Sequence, residues 1–256
     1  MFVPDVASYF QGAGITALTY DPRSLGESDG LPRNDIDPKK QAEDYHDALT
    51  FLKSHPQVDS SRIAYWGFSF AGMVALTAAA LDKRASAVIA VCPLTVFEFP
   101  TDKWPRVLSR ALQDRESRLA GNPPYYLPVL TDKGENPAGF GIGTAKEDFQ
   151  LILTAKTLAP RYENRTTIQT YYRIAAWQPF GLMPLVSPTP VMLVTALEDQ
   201  ISTADNQKKL FGQFAQPKQI DLVPNKGHMD ALSGDDFPQL MAKQVDFLKR
   251  QWQINL

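Results

Sequence analysis

The segment that most constrains the fold of this chain is residues 62–72, with the sequence RIAYWGFSFAG. Its first part, residues 63–66, is a short apolar and aromatic run of the kind found in buried strands. Small residues then crowd a turn around Ser69, and an apolar helical run follows at residues 73–81. A strand, a tight turn with a central Ser and a helix together expose a hydroxyl above the end of a sheet. The segment therefore predicts Ser69 as a nucleophile, with an ordinary tight turn as the alternative.

The turn departs from the pattern G-x-S-x-G at one position. Gly67 and Ser69 fit the pattern, but Ala71 stands where the last Gly is usual. Ala is small enough for close packing of the helix on the strand. The amide of Phe70 lies at the predicted N-terminus of the helix, where negative charge is favoured. We therefore expect the Phe70 N–H to face an oxyanion.

Strand-like and helix-like patterns alternate along most of the chain. Strands are predicted by short apolar runs at residues 15–20, 86–92, 191–195 and 219–223, and helices by amphipathic spacing at residues 3–11, 38–55, 203–214 and 237–252. Repeated strand–helix units predict an α/β fold with a mostly parallel, doubly wound sheet that is covered on both faces. A chain of 256 residues that is 44% hydrophobic can form one large domain of this type.

The alternation stops in the middle of the chain, where aromatic residues and prolines are dense. We divide the chain into a core of residues 1–94 and 187–256 and a helical cap of residues 95–186, with helical patterns at residues 146–158 and 166–176. Aromatic side chains of the cap are expected to line an apolar substrate pocket. The candidates are Trp104, Tyr125, Phe140, Tyr172 and Trp177. For each of them, the alternative is a place in the hydrophobic core of the cap itself.

A nucleophilic Ser needs a base within hydrogen-bond reach and an acid that orients the base. Of the three histidines, His46 and His55 lie on or at the end of a predicted helix, whereas His228 lies in a loop after the last strand. The acid should follow the preceding strand, where we favour Asp199 over Glu198. Such loops, at the carboxyl ends of the strands, are where sheets of this class place their sites. Ser69, Asp199 and His228 are therefore predicted to act together, the alternative being three unrelated loop residues.

Several classes of function are disfavoured by the composition. The net charge is −2 with no basic block, so we expect no nucleic-acid partner. The apolar runs are too short to span a bilayer and no signal peptide is evident, so we expect no membrane interaction and a cytoplasmic protein. The single cysteine, Cys92, ends an apolar run and suits a reducing compartment.

Cofactor and metal sites are also disfavoured. The chain has no His or Cys spacing typical of a metal site. The glycines between residues 134 and 143 do not connect a strand to a helix, so a dinucleotide site is not expected and the segment is interpreted as the edge of a lid. We therefore predict no metal and no cofactor.

The motifs of this chain resemble those of the α/β-hydrolase superfamily, and more narrowly its fungal polyketide-transferase and thiohydrolase-like branch, which is related to dienelactone hydrolases. The resemblance is carried by the motifs YDPRSLGES at 20–28, VDSSRI at 58–63, GFSFAG at 67–72, NRTT at 164–167, PTP at 188–190, ED at 198–199 and GH at 227–228. It implies hydrolysis or transfer of acyl groups from ester or thioester substrates, polyketide-like acyl chains among them, in secondary metabolism. Under this resemblance Ser69 is the nucleophile, His228 the base and Asp199 the orienting acid.

One departure from that family concerns the N-terminus. Its members usually begin with a hairpin and a third strand, whose loop supplies a second oxyanion-hole amide, whereas this sequence starts at the first helix. The predicted strands at residues 15–20 and 63–66 would then lack the neighbour that they share. Three alternatives are open: the sequence is a shortened form of a longer protein, the two strands pair directly, or a partner chain fills the gap, for example in a homodimer. A smaller departure is Ser24, where the loop usually has Gly.

The sequence is compatible with three alternative functions. The first is a Ser-dependent hydrolase or acyltransferase that forms an acyl intermediate on Ser69. The second is a non-hydrolytic cyclase or lyase that uses the same pocket with His228 as base. The third is an inactive binding or assembly partner.

Overall fold

The computed structural model describes most of the chain. The described residues are 3–133, 135–139, 150, 154, 157 and 159–254. They belong to two compact units, of which the first comprises Met1–Thr19, Ala42–Thr95 and Pro179–Leu256 and the second comprises Tyr20–Gln41 and Val96–Gln178. The predicted division into a core and a cap of residues 95–186 stays a prediction.

The helices and strands follow one another in the order that the sequence predicts for most of the first unit. The strands are β1 (Ala64–Phe68), β2 (Ala87–Val91), β3 (Tyr126–Leu127), β4 (Thr166–Thr167), β5 (Val191–Ala196) and β6 (Lys218–Val223). The α-helices are α1 (Val3–Gly12), α2 (Pro38–Ser54), α3 (Phe70–Leu81), α4 (Trp104–Leu119), α5 (Ile168–Ala176), α6 (Ala204–Gln213) and α7 (Phe237–Gln251), and two 3₁₀ helices span Pro179–Val186 and Asp230–Leu232.

The first unit is built on a parallel sheet with the strand order β1-β2-β5-β6. Every residue of β2 and β5 is buried, because these two strands lie at the centre of the sheet with both faces covered. This explains why both strands are continuous apolar runs rather than alternating patterns. Parallel pairing also brings the carboxyl ends of the strands, and the loops that follow them, to one edge of the sheet.

The predicted strand at residues 15–20 is wrong. These residues form no helix or strand, and Thr16 to Tyr20 are exposed to solvent. In the part of the chain that the structure describes, β1 pairs only with β2, so direct pairing of β1 with residues 15–20 is also wrong. An apolar run becomes a strand only where a neighbouring strand pairs with its backbone, and no described strand pairs with residues 15–20.

Helix α3 explains how the turn at Ser69 is anchored. Its residues from Gly72 to Ala80 are all buried, and the helix packs on β1, on β2 and on the 3₁₀ helix Pro179–Val186. A helix covered on every side needs apolar or small residues all round, as this sequence has. The helix starts at Phe70, as the sequence predicts, so the residue directly after Ser69 is already helical.

The second unit has a small hydrophobic core of its own. It is made by packing of α4 against α5, with Trp104, Val107, Ala111, Ala138, Ile168 and Tyr171 buried together. Strands β3 and β4 form an antiparallel pair beside these helices. The predicted helix at residues 166–176 is present as α5 after the short strand β4. The predicted helix at residues 146–158 lies mostly outside the described residues.

An ion pair between the buried Asp82 and the partly exposed Arg84, directly after α3, makes the stability of the first unit depend on pH. Asp82 accepts hydrogen bonds from the Arg84 guanidinium at 2.6 Å and from the Tyr65 hydroxyl at 3.1 Å. Burial alone would raise the pKa of the Asp82 carboxyl, but the hydrogen bonds from Arg84 and Tyr65 outweigh it and lower the pKa from 3.8 to about 2. Because the pKa is lower in the folded state, this stabilisation is complete above about pH 4 and is lost as the pH falls towards about 2.

We therefore expect Asp82→Asn to lower the free energy of unfolding at neutral pH by about 1–2 kcal/mol, allowing for solvent screening of the partly exposed Arg84. The difference from the wild type should shrink as the pH approaches 2, because the wild-type carboxyl then becomes protonated. Urea unfolding at a series of pH values measures this. Asp205→Asn, on an exposed carboxylate, is the control. A difference for Asp82→Asn that does not change with pH would contradict the prediction.

Candidate active site

Ser69 lies at a sharp turn between β1 and α3. Its backbone has φ 55° and ψ −123°, a conformation that is costly for a residue with a Cβ. The turn is held by hydrogen bonds on both sides, because Ser69 N–H donates to the Val91 carbonyl at 2.9 Å and Leu94 N–H donates to the Ser69 carbonyl at 2.9 Å. The strained residue is thus fixed to the end of the neighbouring strand β2. Backbone strain held in this way is a common feature of functional sites.

Two glycines make this turn sterically feasible. A Cβ on Gly67 would lie 2.3 Å from the Ala71 carbonyl oxygen, and a Cβ on Gly72 would lie 3.3 Å from Pro93 Cα. The backbone of the turn therefore comes close to the backbone of Pro93 at Gly72 and not at Ala71. This explains why Ala71 is tolerated where the usual pattern has Gly.

Replacing Gly67 with Ala is expected to destabilise the protein by at least about 2 kcal/mol, since backbone atoms rather than a flexible side chain would have to move. Gly212→Ala is the matched control. Gly212 lies in α6 with no atom within 4 Å of the added Cβ, so the same change should stabilise the protein by about 0.5–1 kcal/mol. Thermal unfolding of both variants tests this, and equal melting temperatures for the two would contradict it.

His228 contacts Ser69 through one ring nitrogen and Asp199 through the other. The Nε2 atom lies 2.8 Å from Ser69 Oγ, and Nδ1 lies 2.7 Å from Asp199 Oδ2. A carboxylate only accepts hydrogen bonds, so Nδ1 donates to Asp199 and Nε2 is left to accept the proton of the Ser69 hydroxyl. The imidazole is 2% exposed, and the ring of Phe68 lies 5.0 Å away between centroids. The structure therefore brings the three predicted side chains into one hydrogen-bonded chain.

Asp199 is 2% exposed, and its carboxylate is held by further hydrogen bonds. Its Oδ1 atom accepts from the backbone N–H groups of Ile201 at 2.8 Å and Ser202 at 2.7 Å. Its Oδ2 atom accepts from His228 and also from Gln207 Nε2 at 3.0 Å. These donors stabilise the ionised carboxylate in a buried place and fix its orientation.

The loops that carry Asp199 and His228 are tied to each other. The backbone N–H of Glu198 donates to the Lys226 carbonyl at 2.9 Å, and the Lys226 ammonium pairs with Asp236 at 2.6 Å. Glu198 itself is exposed, whereas Asp199 is buried and contacts His228. The geometry therefore agrees with the choice of Asp199 over Glu198.

Sequence reasoning missed two side chains that surround this acid, Gln207 and Ser202. Ser202 Oγ donates to the Pro93 carbonyl at 2.7 Å and accepts from the Thr95 N–H at 3.1 Å, which joins the loop of Asp199 to the segment after β2. Neither residue belongs to a motif, and a Gln within an amphipathic helix has no pattern of its own. Their burial, 0% for Gln207 and 1% for Ser202, is visible only in the tertiary structure.

Cys92 also approaches the acid. Its Sγ, a carboxylate oxygen of Asp199 and a ring nitrogen of His228 lie within 4.8 Å of one another, a set that has the chemistry to hold a divalent cation. Occupying it would require the Asp199–His228 hydrogen bond to open, because these atoms are already paired. Burial, followed by the negative charge of Asp199, raises the pKa of the Cys92 thiol, so the thiol stays neutral.

The N–H of Phe70 lies at the first position of α3, where the helix carries partial positive charge. An oxyanion that forms beside Ser69 would be stabilised at this position. The arrangement can thus remove a proton from Ser69, orient the base and stabilise negative charge. These are the requirements of acyl transfer through a Ser.

The aromatic residues predicted to bind substrate all fall in the second unit. Trp104 is 4% exposed and packs on Phe99 at 4.4 Å between ring centroids, so it belongs to the core of that unit. Tyr125 and Tyr172 are 43% and 37% exposed, and Trp177 is 9% exposed. Phe140 lies outside the described residues. Their role in substrate binding stays a prediction.

Comparison with known proteins gives a family match and similar sequences. Residues 2–244 match the model of the alpha/beta hydrolase family. A thiohydrolase of Eupenicillium brefeldianum is 52% identical over 250 residues, which cover 97% of this chain and 81% of that protein. The polyketide transferase ATR5 of Stachybotrys chlorohalonatus is 51% identical over 249 residues, which cover 96% of this chain and 82% of that protein.

Solved structures show the same fold. The alpha/beta hydrolase GrgF from Penicillium sp. sh18 superposes with a TM-score of 0.89 at 40% identity, covering 98% of this chain and 85% of that chain. The structure of DcsB in complex with its substrate analogue superposes with a TM-score of 0.91 at 39% identity, covering 98% and 86%. Among the described residues, no helix has the length and apolar character needed to cross a membrane.

Proposed function

Because this chain belongs to the alpha/beta hydrolase family, we propose that it is a serine-dependent enzyme that hydrolyses or transfers acyl groups held as esters or thioesters, with polyketide-like acyl chains as substrates. The observation that carries the proposal is the hydrogen-bonded chain from Ser69 through His228 to Asp199. Similar proteins named thiohydrolase and polyketide transferase support the class of substrate. The single cysteine is consistent with a cytoplasmic location, which we include in the proposal.

The first half of the proposed reaction forms a covalent acyl intermediate. Ser69 Oγ attacks the carbonyl carbon of the acyl group while His228 Nε2 takes the hydroxyl proton. The carbonyl oxygen becomes an oxyanion, which the Phe70 N–H stabilises. When the bond to the leaving thiol or alcohol breaks, His228 returns the proton to the leaving sulfur or oxygen. The acyl group is then an ester of Ser69.

The second half decides between hydrolysis and transfer. His228 removes a proton from water or from an acceptor alcohol, whose oxygen attacks the acyl carbon. The second oxyanion collapses, Ser69 Oγ leaves as the proton returns to it from His228, and the product is a free acid or a new ester. Throughout both halves Asp199 stays ionised and stabilises the imidazolium that forms at each proton transfer.

We also propose that aromatic side chains which the sequence predicts to bind substrate contact the acyl chain. The exposed Tyr125 and Tyr172 offer apolar ring surface to such a ligand. Trp104 and Trp177 are buried and would act by supporting that surface.

The proposal is tested by labelling and by turnover of the purified protein. A fluorophosphonate probe should label the folded protein, and peptide mapping should place the label on Ser69. An acyl thioester whose free thiol is detected by a chromogenic reagent should be cleaved by the same sample. Heat-denatured protein, in which His228 no longer contacts Ser69, is the control for non-specific labelling. No labelling of Ser69 in folded, monodisperse protein, together with no thiol release, would overturn the proposal.

A further inference from the structure

The Asp199 carboxylate receives a hydrogen bond from a helix that none of the sequence motifs includes. Gln207 lies in α6 and is 0% exposed. Its Nε2 atom donates to Asp199 Oδ2 at 3.0 Å and to the Ser202 carbonyl at 2.6 Å. The first of these acceptors is the same oxygen that accepts from His228 Nδ1. Two side-chain donors therefore share the oxygen that faces the base.

The orientation of the Gln207 amide is determined by its surroundings. Both neighbours of its Nε2 are oxygens that accept hydrogen bonds, so the opposite orientation would place Oε1 against a carboxylate and a carbonyl. In the observed orientation Oε1 is buried and has no hydrogen-bond partner within the described part of the chain. A buried amide with an unsatisfied oxygen is unfavourable, and an apolar side chain such as Met would avoid that cost. The hydrogen bonds that the Gln207 N–H groups donate therefore explain why an amide occupies this position.

We propose that Gln207 is a positioning residue that fixes the Asp199 carboxylate towards His228 and withdraws part of its negative charge. The proposal rests on the function assigned above to Ser69, His228 and Asp199. The two backbone amides hold only Oδ1, so the orientation of Oδ2 depends on Gln207 and on the base itself, and loss of Gln207 leaves the carboxylate less firmly fixed. Loss of the Gln207 donor also leaves more negative charge on Oδ2, which stabilises the imidazolium form of His228.

Gln207→Met tests this role, because Met has a similar shape and donates no hydrogen bond. We expect kcat to fall about tenfold with little change in KM, since the base acts in the chemical step rather than in substrate binding. The acidic limb of the kcat/KM profile should move to higher pH by about half a unit to one unit. A residue that only filled space would lower stability without moving this limb.

Gln244→Met is the matched control. Gln244 lies in α7, is also 0% exposed, accepts from Trp66 Nε1 at 2.8 Å and donates to the Leu240 carbonyl at 3.3 Å. Its replacement should lower thermal stability and leave the pH profile unchanged. An acidic limb that moves equally in both variants, or in neither, would overturn the role of Gln207.

A measurement on the wild type covers the case in which Gln207→Met does not fold. In protein labelled with ¹⁵N-glutamine, the NMR shift of the Gln207 side-chain amide should change with pH. The midpoint of this change should equal that of the acidic limb of the kcat/KM profile. The shift of the Gln244 amide should not change over this pH range. A Gln207 amide that does not respond to pH across the acidic limb would overturn the proposal. Fluorophosphonate labelling of the same sample separates the two levels. Labelled Ser69 with no response of Gln207 removes only its positioning role, and absence of labelling removes the proposed function as well.

Discussion

Ser69→Ala is expected to lower kcat for thioester cleavage by at least about 10⁴-fold, because the variant has no atom that can form the acyl intermediate. Ala keeps the Cβ that the turn already accommodates at φ 55°, so the variant should fold. The remaining rate would come from binding and from stabilisation of an oxyanion by the Phe70 N–H. Stopped assays of thiol release, with long incubations for the variant, measure the difference. Melting temperatures of the two proteins establish that folding is unchanged.

Ser24→Ala is the matched control for this experiment. Ser24 also has a positive φ, of 68°, and its hydroxyl donates to the Asp35 carbonyl in the second unit at 2.9 Å. Loss of that hydroxyl should lower the thermal stability and leave kcat for thioester cleavage unchanged.

The outcome for Ser69→Ala also separates the competing functions. If the variant still converts an acyl substrate to product and His228→Ala does not, His228 would act as a base without a covalent intermediate, and the protein would be a cyclase or lyase. If neither the wild type nor these variants convert any acyl substrate, a binding or assembly role would be favoured.

Asp199→Asn is expected to lower kcat by about 10³–10⁴-fold, although it replaces one oxygen by an isosteric NH₂ group. The two backbone N–H groups of Ile201 and Ser202 would hold the amide oxygen of Asn at the place of Oδ1. The NH₂ group would then face His228 Nδ1, so the imidazole must put its proton on Nε2, beside Ser69. A protonated Nε2 cannot accept the hydroxyl proton of Ser69.

Glu198→Gln is the control for Asp199→Asn, because it makes the same chemical change at the adjacent, exposed residue. Its thioester cleavage should equal that of the wild type. Similar losses in both variants would show that charge in this loop, rather than a hydrogen bond to His228, is what matters. The assay is the same release of thiol, and fluorophosphonate labelling of Ser69 should slow in parallel in Asp199→Asn alone.

Much of the site follows from local sequence patterns. The turn at Ser69 is recognisable because a short apolar strand, a cluster of small residues and an apolar helix must follow one another for such a turn to form. Asp199 and His228 are recognisable because parallel strands of one sheet end at the same edge, so loops that follow different strands meet there. Their contact in the structure, at 2.7 Å, is the consequence of strand order.

The strand predicted at residues 15–20 is wrong for the same physical reason that the predictions of β2 and β5 are right. An apolar run shows that a segment can be a strand, but its hydrogen-bond partner is another segment that the run does not specify. For β2 and β5 that partner exists on both sides, and their burial is complete. For residues 15–20 no described strand supplies it, and Leu18 and Tyr20 are 38% and 41% exposed.

The sequence by itself determined the α/β class, the place of Ser69 in a turn between strand and helix, and the residues that could serve it as acid and base. Only the tertiary structure decided which strands pair, that Gly72 rather than position 71 makes the close approach to Pro93, and that Gln207 reaches Asp199. The reason is that periodicity and turn chemistry depend on neighbours along the chain. The surroundings of a buried carboxylate depend instead on side chains that the fold brings together. The positions of these side chains in the sequence do not predict their contact.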